Sequence, residues 1–209
     1  MIIQQGARHN LLDLGFVEID FDKIEAISLF NGKNLEGWEG NADYFHVENS
    51  AIAAGDLKNE IPQNEFICTQ KTYANFELRL QCKASARDVN AGIQIRSRRV
   101  PNSHEMWGYQ ADMGQHWWGN LYDESRRKTN LAESNKDKLA AVIHPTGWNE
   151  YVIRCVGRRI QLWINGYQTV DYLEPDETIN QVGHIGLQIH SGPPAMAWYK
   201  DIEIRVFEP

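Results

Sequence analysis

The stretch FELRLQCKA, residues Phe76–Ala84, decides the fold class of this chain. Its apolar residues fall at every second position, and charged or amide residues fill the positions between them. Successive side chains of a β-strand point to opposite faces, so this alternation predicts a strand with one face in a core and the other toward solvent. We expect it to neighbour the runs Ala91–Arg96 and Gly186–His190 as antiparallel strands and to share one inter-sheet core with them.

Further short alternating runs lie on both sides of this stretch. They include Phe66–Gln70, Tyr109–Met113, Trp148–Val156, Ile160–Ile164 and Tyr167–Tyr172. The pair Asn165-Gly166 between the last two runs is typical of a two-residue hairpin turn. Residues 125–142 are the least β-like part and predict a loop, or one short helix near Asp137–Val142. Short strands with regular turns and no long helix predict an all-β protein, an antiparallel β-sandwich or barrel.

Length and composition indicate one globular domain. The 209 residues fit a single sandwich, which we place at residues 27–209, after an N-terminal arm of uncertain structure at residues 1–26. Apolar residues make up 42% and charged residues 23%, as in an ordinary globular protein with a sizeable core. The formal net charge of -7 argues against nucleic acid as a partner.

The chain carries no sequence features of membrane insertion. No apolar run is long enough to cross a bilayer, and residues 1–26 show no signal-peptide core, so we expect a soluble protein with no membrane partner. A periplasmic or secreted location stays open, because a removed signal would leave no trace. Cys68, Cys82 and Cys155 stand singly within strand-like runs, which predicts buried free thiols rather than a disulfide framework.

The stretch GYQADMGQHWWGNLYDESRR, residues Gly108–Arg127, concentrates groups that bind ligands and do chemistry. Alternation places Gln110 and Asp112 together on the face opposite the apolar side chains. Trp117 and Trp118 follow between two glycines, where one of the pair must face solvent or a ligand. An aromatic platform beside a carboxylate and two guanidiniums suits a hydroxyl-rich ligand such as a sugar. The alternative is a half-buried corner of the core.

Several strands carry amides, arginine, histidine and tryptophan where a solvent-facing sheet usually has Lys, Glu and Thr. These residues are Gln94, Arg96, Gln110, Asp112, Gln161, Trp163, Asn165, Gln188 and His190. On a curved sheet such groups would converge in the concave face and bind a neutral polar ligand through directional hydrogen bonds. We predict that Arg96, Asp112 and His190 share one concave pocket, with Trp117 or Trp118 at its rim. Spacing alone also fits an ordinary solvated sheet face.

Several common catalytic motifs are absent from the sequence. No pairing of histidines indicates a metal site, and there is no GxSxG, HExxH, Walker loop or dinucleotide fingerprint. The ExDxxE spacing of retaining β-sandwich glucanases is also missing, which argues against an ordinary double-displacement glycosidase.

Segments spread over Leu29–Val206 together resemble a known family. They are LFNGKNLEGW, YANFELRLQCKA, NAGIQIRS, GYQADMG, GNLYDESRR, GWNEYVIRC, IQLWINGYQTVDY, IGLQIHSG and YKDIEIR. In their order and spacing the chain resembles the bacterial family once called DUF1080, described as 3-keto-disaccharide hydrolases or 3-keto-glucoside lyase-hydratases. The resemblance implies a concanavalin A-like jelly roll. Gln81 and Gln110 stand where many members have Glu, so this chain either differs in chemistry or uses Asp112.

The resemblance also implies an enzyme that cleaves 3-keto-glycosides by removing the C2 proton, losing the C1 substituent and adding water. This chemistry needs a base, a positive group at the enolate and an acid for the leaving group. We expect His190 or Asp112 as the base and Arg96 at the enolate. Tyr122, Asp123 or a bound water would serve the leaving group. No cofactor is firmly implied, although a divalent cation held partly by Asp112 and His190 stays open. The residues expected to bind the substrate are Gln94, Gln110, Trp117, Trp118, Tyr122, Asp123, Arg126, Trp163 and Gln188.

Two other functions are compatible with the same residues. A non-catalytic carbohydrate-binding module would use the aromatic and amide side chains but would not need His190. A structural sandwich domain would make the polar set incidental. For the enzyme and the binding module alike, the partner is a saccharide or glycoside.

Overall fold

A computed structural model describes residues 19–85, 89–114 and 116–207 of the chain. Its helices are a short 3-10 turn at Phe21–Lys23 and α1 at Lys136–Ala140. The strands, in chain order, are β1 (Ile27–Ser28), β2 (Trp38–Gly40), β3 (Phe45–Glu48), β4 (Ala51–Asp56), β5 (Glu65–Thr69), β6 (Phe76–Ala84), β7 (Asn90–Arg99), β8 (Met106–Gly114), β9 (Leu121–Glu124), β10 (Thr129–Ala132), β11 (Asn149–Val156), β12 (Arg159–Ile164), β13 (Tyr167–Leu173), β14 (His184–Ile189) and β15 (Ala195–Val206).

These strands form two antiparallel sheets that pack face to face. Sheet A has the order β13-β12-β11-β6-β15-β4-β3, and β1 also pairs with β15. Sheet B has the order β10-β9-β8-β7-β14-β5-β2. The prediction of an all-β antiparallel sandwich is therefore confirmed, and the non-consecutive neighbours are the long crossovers of a jelly roll.

The core lies between the sheets and is filled by alternate residues from both. Leu78 and Leu80 of β6 face it from sheet A, and Ile93 of β7 and Leu187 of β14 face it from sheet B. All four side chains are almost fully buried, which confirms the predicted shared core. β7 and β14 are neighbours as expected. β6, however, is not their neighbour, because alternation identifies the buried face of a strand and not its sheet.

The meander from β11 to β13 follows the predicted turns. β11 pairs with β12 across Gly157-Arg158, and β12 pairs with β13 across Asn165-Gly166. Asn165 and Gly166 have φ angles of 48° and 81°, the left-handed conformation that a type I′ hairpin turn requires. The predicted short helix near Asp137–Val142 corresponds to α1, which Asn135 caps through a hydrogen bond from the backbone N–H of Lys138.

The three cysteines are free and inaccessible, as predicted. Cys68, Cys82 and Cys155 each have 0% of their surface exposed. Burial raises the pKa of Cys68 to about 11 and that of Cys155 to about 11. These thiols therefore stay protonated and unreactive in the native protein.

Part of the predicted N-terminal arm can be compared with the structure. Residues 1–18 lie outside the described residues. Phe21 is buried and makes an edge-on contact with the ring of Phe207, with 5.6 Å between the ring centroids. Among the described residues, no helix has the length and apolar character needed to cross a bilayer.

Candidate active site

A cavity of about 210 Å³ opens on the outer face of sheet B. Its walls come from three neighbouring strands, β7, β8 and β9, from the residue that follows β14 and from the loop after β8. The lining residues are Asn90, Gln110, Asp112, Trp117, Tyr122, Glu124 and His190. This set brings together Asp112 and His190, two of the three residues predicted to do the chemistry.

A chain of polar side chains leads to Asp112 beneath the cavity floor. The Ser97 hydroxyl donates to Gln94 Oε1 at 2.7 Å, and Gln94 Nε2 donates to Gln110 Oε1. Gln110 Nε2 in turn donates to Asp112 Oδ1 at 2.7 Å. Gln94 and Gln110 can make this contact because they face each other directly in the pairing of β7 with β8. The chain fixes the carboxyl group of Asp112 and leaves Oδ2 as the site for a proton.

The environment of Asp112 favours its protonated form. Only 4% of the residue is exposed, and this burial, which removes water from the carboxylate, raises its pKa to about 8. The hydrogen bond from Gln110 and the positive charge of Lys136 act in the opposite direction, while the nearby charge of Glu124 adds to the increase. Asp112 is therefore largely an uncharged acid at neutral pH.

Glu124 is a second carboxyl group in the cavity. Gln188 Nε2 on β14 donates to Glu124 Oε2 at 3.0 Å. Two strands, β8 and β7, lie between β9 and β14, so a curved face brings these two side chains within reach of each other. A Cβ at Gly92 would approach the side chain of Gln110 to 2.7 Å. Burial, followed by the charge of Glu105, raises the pKa of Glu124.

Sequence analysis did not select Glu124 as a site residue. It follows Tyr122 by two positions and shares its strand face, so alternation along β9 would have been sufficient to select it. Gln188 contributes one further polar group, because its buried Oε1 accepts no hydrogen bond from the described residues.

His190 has a defined tautomer in its neutral form. Its Nδ1 lies 2.7 Å from the carbonyl oxygen of Ser191, and a carbonyl oxygen can only accept a hydrogen bond. Nδ1 therefore carries the proton, and the lone pair of Nε2 is free to accept one. The backbone N–H of His190 donates to Asn90 O at 3.1 Å, which holds this residue beside the end of β7.

The two adjacent tryptophans separate as the sequence predicts. Trp117 is 41% exposed and lines the cavity, whereas Trp118 is 5% exposed and packs in the core. Of the two rim candidates, only Trp117 lines the cavity. Tyr122 also lines it, and burial raises the pKa of its hydroxyl group, which therefore remains a hydrogen-bond donor at neutral pH.

Arg96 does not lie in this cavity, and the prediction that it does is corrected. The pairing of β7 with β8 shifts between Ile95 and Arg98, and Arg96 has a φ of 49°. This β-bulge reverses the alternation and turns the side chain away from the outer face. The guanidinium instead donates to the carbonyl oxygens of Ala74 and Gly157, each at 2.7 Å.

Asp123 and Arg126 are also placed outside the cavity. Asp123 is fully buried on the strand face opposite Tyr122 and accepts two hydrogen bonds from Arg126 Nε, at 2.9 and 3.1 Å. It also pairs with Arg127, which reaches Glu174 Oε2 at 2.6 Å. These charges form an ion network between the sheets and not a sugar site.

Trp163 belongs to the opposite side of the molecule. It lies on β12 in sheet A and faces away from the core, with the guanidinium of Arg154 5.2 Å from its ring centroid. Gln161 shares this strand face and bonds Asp171 at 3.2 Å. The predicted single polar face is therefore two faces on different sheets. Of the predicted binding residues, Gln94 and Gln188 are fully buried supports of the cavity, and Gln110, Trp117 and Tyr122 line it.

No group of three or more His, Cys, Asp or Glu residues within the described ranges is arranged to hold a metal ion. The divalent cation considered from the sequence therefore stays a prediction, with Asp112 and His190 as two side chains that face the same cavity.

Comparison with known proteins gives a family and a fold. A model of the 3-keto-alpha-glucoside-1,2-lyase-like domain matches residues 25–205, which is most of the chain. A search of curated proteins finds no match.

Solved structures share the fold at low sequence identity. One is a protein from Parabacteroides distasonis whose assignment as a glycosyl hydrolase is unproven. It is 17% identical to this chain, with a TM-score of 0.65, and the match covers 88% of this chain and 94% of that protein. The carbohydrate-binding module CBM66 from Bacillus subtilis is 12% identical to this chain, with a TM-score of 0.61. The match covers 81% of this chain and 95% of the module. A Bacillus subtilis protein of unknown function with a galectin-like fold is 10% identical to this chain, with a TM-score of 0.61. The match covers 81% of this chain and 89% of that protein.

Proposed function

Because the chain belongs to the family of 3-keto-alpha-glucoside-1,2-lyase-like domains, we propose that it cleaves 3-keto-glycosides by elimination at C1 followed by hydration. One observation carries the proposal. His190, with a free acceptor nitrogen, and Asp112, a carboxyl group protonated near neutral pH, line one concave cavity.

The proposed reaction begins at C2, where the neighbouring C3 carbonyl makes the proton acidic. Removal of this proton leaves its electron pair in an enolate spread over C2, C3 and the ketone oxygen. The enolate then forms a C1=C2 double bond as the C1–O bond breaks, and the departing oxygen takes up a proton. Water adds at C1 while a proton returns to C2, so the net reaction is hydrolysis of the glycoside.

His190 is the proposed base. Its Nε2 carries the lone pair in the neutral ring because Nδ1–H is donated to Ser191 O. An imidazole nitrogen with a free lone pair is the most common general base in enzymes, so Nε2 can accept the C2 proton directly.

Asp112 is the proposed acid. Gln110 donates to Oδ1, so the proton of the neutral carboxyl group is on Oδ2 and is available to the departing oxygen. A pKa of about 8 lets the same group release this proton and recover it within the neutral range. Asp112 therefore takes the acid role considered for Tyr122 and Asp123 from the sequence.

A group other than Arg96 must stabilise the enolate, because the Arg96 guanidinium binds the carbonyl oxygens of Ala74 and Gly157 outside the cavity. Among the described residues that line the cavity, none is a lysine or an arginine. The Tyr122 hydroxyl and the Asn90 amide are neutral donors within its walls, and we propose that they stabilise the enolate oxygen. A chelator added to the activity assay tests the alternative of a divalent cation at this position.

The size of the cavity limits the substrate. A volume of about 210 Å³ is below the 300–1,000 Å³ of typical ligand pockets, which favours a single sugar ring over an extended chain. Trp117, exposed at the rim, offers a flat surface on which the ring can stack. The leaving group would then extend into solvent.

The decisive experiment compares His190→Ala with wild type on a 3-keto-glucoside in steady-state assays. Loss of the base should lower kcat by roughly two to four orders of magnitude, while KM changes much less because the cavity walls remain. His46→Ala is the matched control, since His46 is exposed on β3 in the other sheet. Undiminished activity of His190→Ala would remove this histidine from the mechanism.

A carbohydrate-binding module is the second candidate, and the exposure of Trp117 at the rim favours it. The same protein would then bind saccharides without turning over any 3-keto-glucoside. Trp117→Ala would abolish this binding, and His190→Ala would leave it intact.

A further inference from the structure

A second cavity, of about 200 Å³, lies at the rim of the sandwich and shares no lining residue with the first. Arg98 and Trp107, which face each other in β7 and β8, form one wall. Arg96 and Arg126 contribute two further guanidiniums. The remaining lining residues are Thr178, Ile179 and Asn180. We call it the rim cavity; of the described residues, three arginines and no carboxylate line it.

Arg96 is a buried cation without an anionic partner among the described residues. Only 2% of the residue is exposed. Its Nη1 donates to Gly157 O and to Gln181 Oε1, each at 2.7 Å, and its Nε donates to Ala74 O at 2.7 Å. These acceptors are neutral, so they satisfy hydrogen bonds but do not balance the charge. A buried charge without a counter-charge is costly, which leaves a demand for an anion nearby.

Arg126 is only partly satisfied. Its Nε donates to both oxygens of Asp123, but its Nη2 is buried and bonds no described residue. The side chain lies over the ring of Tyr109, with the guanidinium carbon 4.5 Å from the centroid, which fixes the plane of the group. Arg126 therefore retains an unused donor at the rim cavity.

Arg98 is exposed, and no hydrogen bond or ion pair links its side chain to the rest of the described chain. Carboxylates in the surrounding segments are already engaged. They pair as Asp123 with Arg126 and Arg127, Glu174 with Arg127, and Glu177 with Arg158. Exposed Asp176 accepts hydrogen bonds from the backbone and side chain of Thr178. Thr178 is neutral and leaves the charge of Asp176 unbalanced, so Arg96 and Arg98 together exceed the unpaired carboxylates of these segments by one positive charge.

We propose that the rim cavity binds a small oxyanion, the carboxylate, sulfate or phosphate group of a small molecule. Guanidinium groups donate paired hydrogen bonds to such groups, and Arg98 and the free nitrogen of Arg126 supply them from two sides. Trp107 provides an apolar wall for whatever carries the anion. This proposal does not rest on the function proposed for the first cavity.

Calorimetric titration of the full chain with sodium sulfate, sodium phosphate and sodium glucuronate tests the proposal, with ionic strength held constant by sodium chloride. At least one of these anions should bind saturably with a stoichiometry of one. Arg98→Gln should weaken this binding about tenfold, the loss of one charge-assisted contact. Arg98→Glu should abolish it. Lys33→Gln, the same charge change at an exposed bend that does not line the cavity, should leave it unchanged.

Comparison of the three titrations also identifies the chemical class of anion that the rim cavity prefers. Tighter binding of glucuronate indicates a sugar acid, and tighter binding of sulfate or phosphate indicates an inorganic or ester group. Asp112→Asn should retain anion binding, which separates this site from the first cavity. Absence of saturable binding by all three anions, or equal weakening in Arg98→Gln and Lys33→Gln, would overturn the proposal.

Discussion

At the scale of single residues, burial gives Asp112 a chemistry that an exposed aspartate does not have. Its pKa is about 8 in the native protein and about 3.9 in an unfolded chain, so the native state holds one more proton between these values. The free energy of unfolding should therefore fall as pH rises from about 4 to 8, by at most ~1.4 kcal/mol per pH unit from this group.

Asp112→Asn should remove this dependence, because asparagine has the same shape and no titrating proton. Urea unfolding at pH 5 and pH 8 checks the effect, and the variant should be more stable than wild type at pH 8. Its kcat should also fall, because a carboxamide cannot transfer a proton to the departing oxygen. A variant with the same pH slope as wild type would show that another group holds the proton.

The adjacent tryptophans give opposite expectations. Trp118→Ala opens a space in the core and should lower the free energy of unfolding by about 3–5 kcal/mol. Trp117→Ala removes an exposed platform, so stability should change little while affinity for the saccharide weakens. Denaturation curves and binding isotherms of both variants make the comparison. If Trp117→Ala binds as well as wild type, the sugar does not stack at the rim.

At the scale of elements, β7 shows where sequence analysis succeeds and where it fails. Alternation correctly assigns Ile93 to the core and Gln94 to the outer face. It fails two residues later, because the bulge at Ile95–Arg98 inserts an extra residue and reverses the direction of Arg96. A bulge has no periodic pattern, so the sequence offered no means to predict it.

The glycine at position 92 supports a prediction about the same strand. Gly92→Ala would place a Cβ 2.7 Å from Gln110 Cγ and Cδ, and this flexible side chain would move away from Asp112. Misplacing the acid should lower kcat by 10- to 100-fold, on the order of losses from small errors in position. Gln110→Ala removes the clash. The double variant should therefore be no slower than Gln110→Ala alone, and a further loss in it would contradict this route.

At the scale of the whole molecule, an ion network joins the two sheets. Glu174 follows β13 of sheet A and accepts hydrogen bonds from Arg127, which follows β9 of sheet B, and from Tyr109 of β8. Burial alone raises the pKa of Glu174, but the bonds from Arg127 and Tyr109 outweigh it and hold the pKa at about 2. The charged form is thus the one that stabilises the fold.

Glu174→Gln should cost about 3 kcal/mol at pH 7, because it leaves a guanidinium without its buried partner. A group with a lowered pKa contributes stability above its unfolded value of about 4.3, and this contribution is lost as pH falls toward 2. The difference between variant and wild type should therefore shrink in acid. Lys200→Met, which breaks a half-exposed pair, is the control and should change stability little. A difference that stays constant down to pH 2 would refute the charge argument.

The overall architecture also limits what the sequence could predict. The sandwich and its hairpins follow from local patterns, since strand alternation and Asn-Gly turns are encoded in neighbouring residues. Which sheet a strand joins depends on residues far apart in the chain. Trp163 and Gln188 both lie on the face of their strand that points away from the core, yet their strands belong to opposite sheets. The predicted site therefore gathered residues from more surfaces than one cavity can have.

The three inaccessible thiols make the native protein convenient to label. All cysteines of the chain are among them, so a maleimide dye has no native target. A cysteine introduced at exposed His116, beside Trp117, would take the dye alone and report optically when a sugar enters the neighbouring cavity.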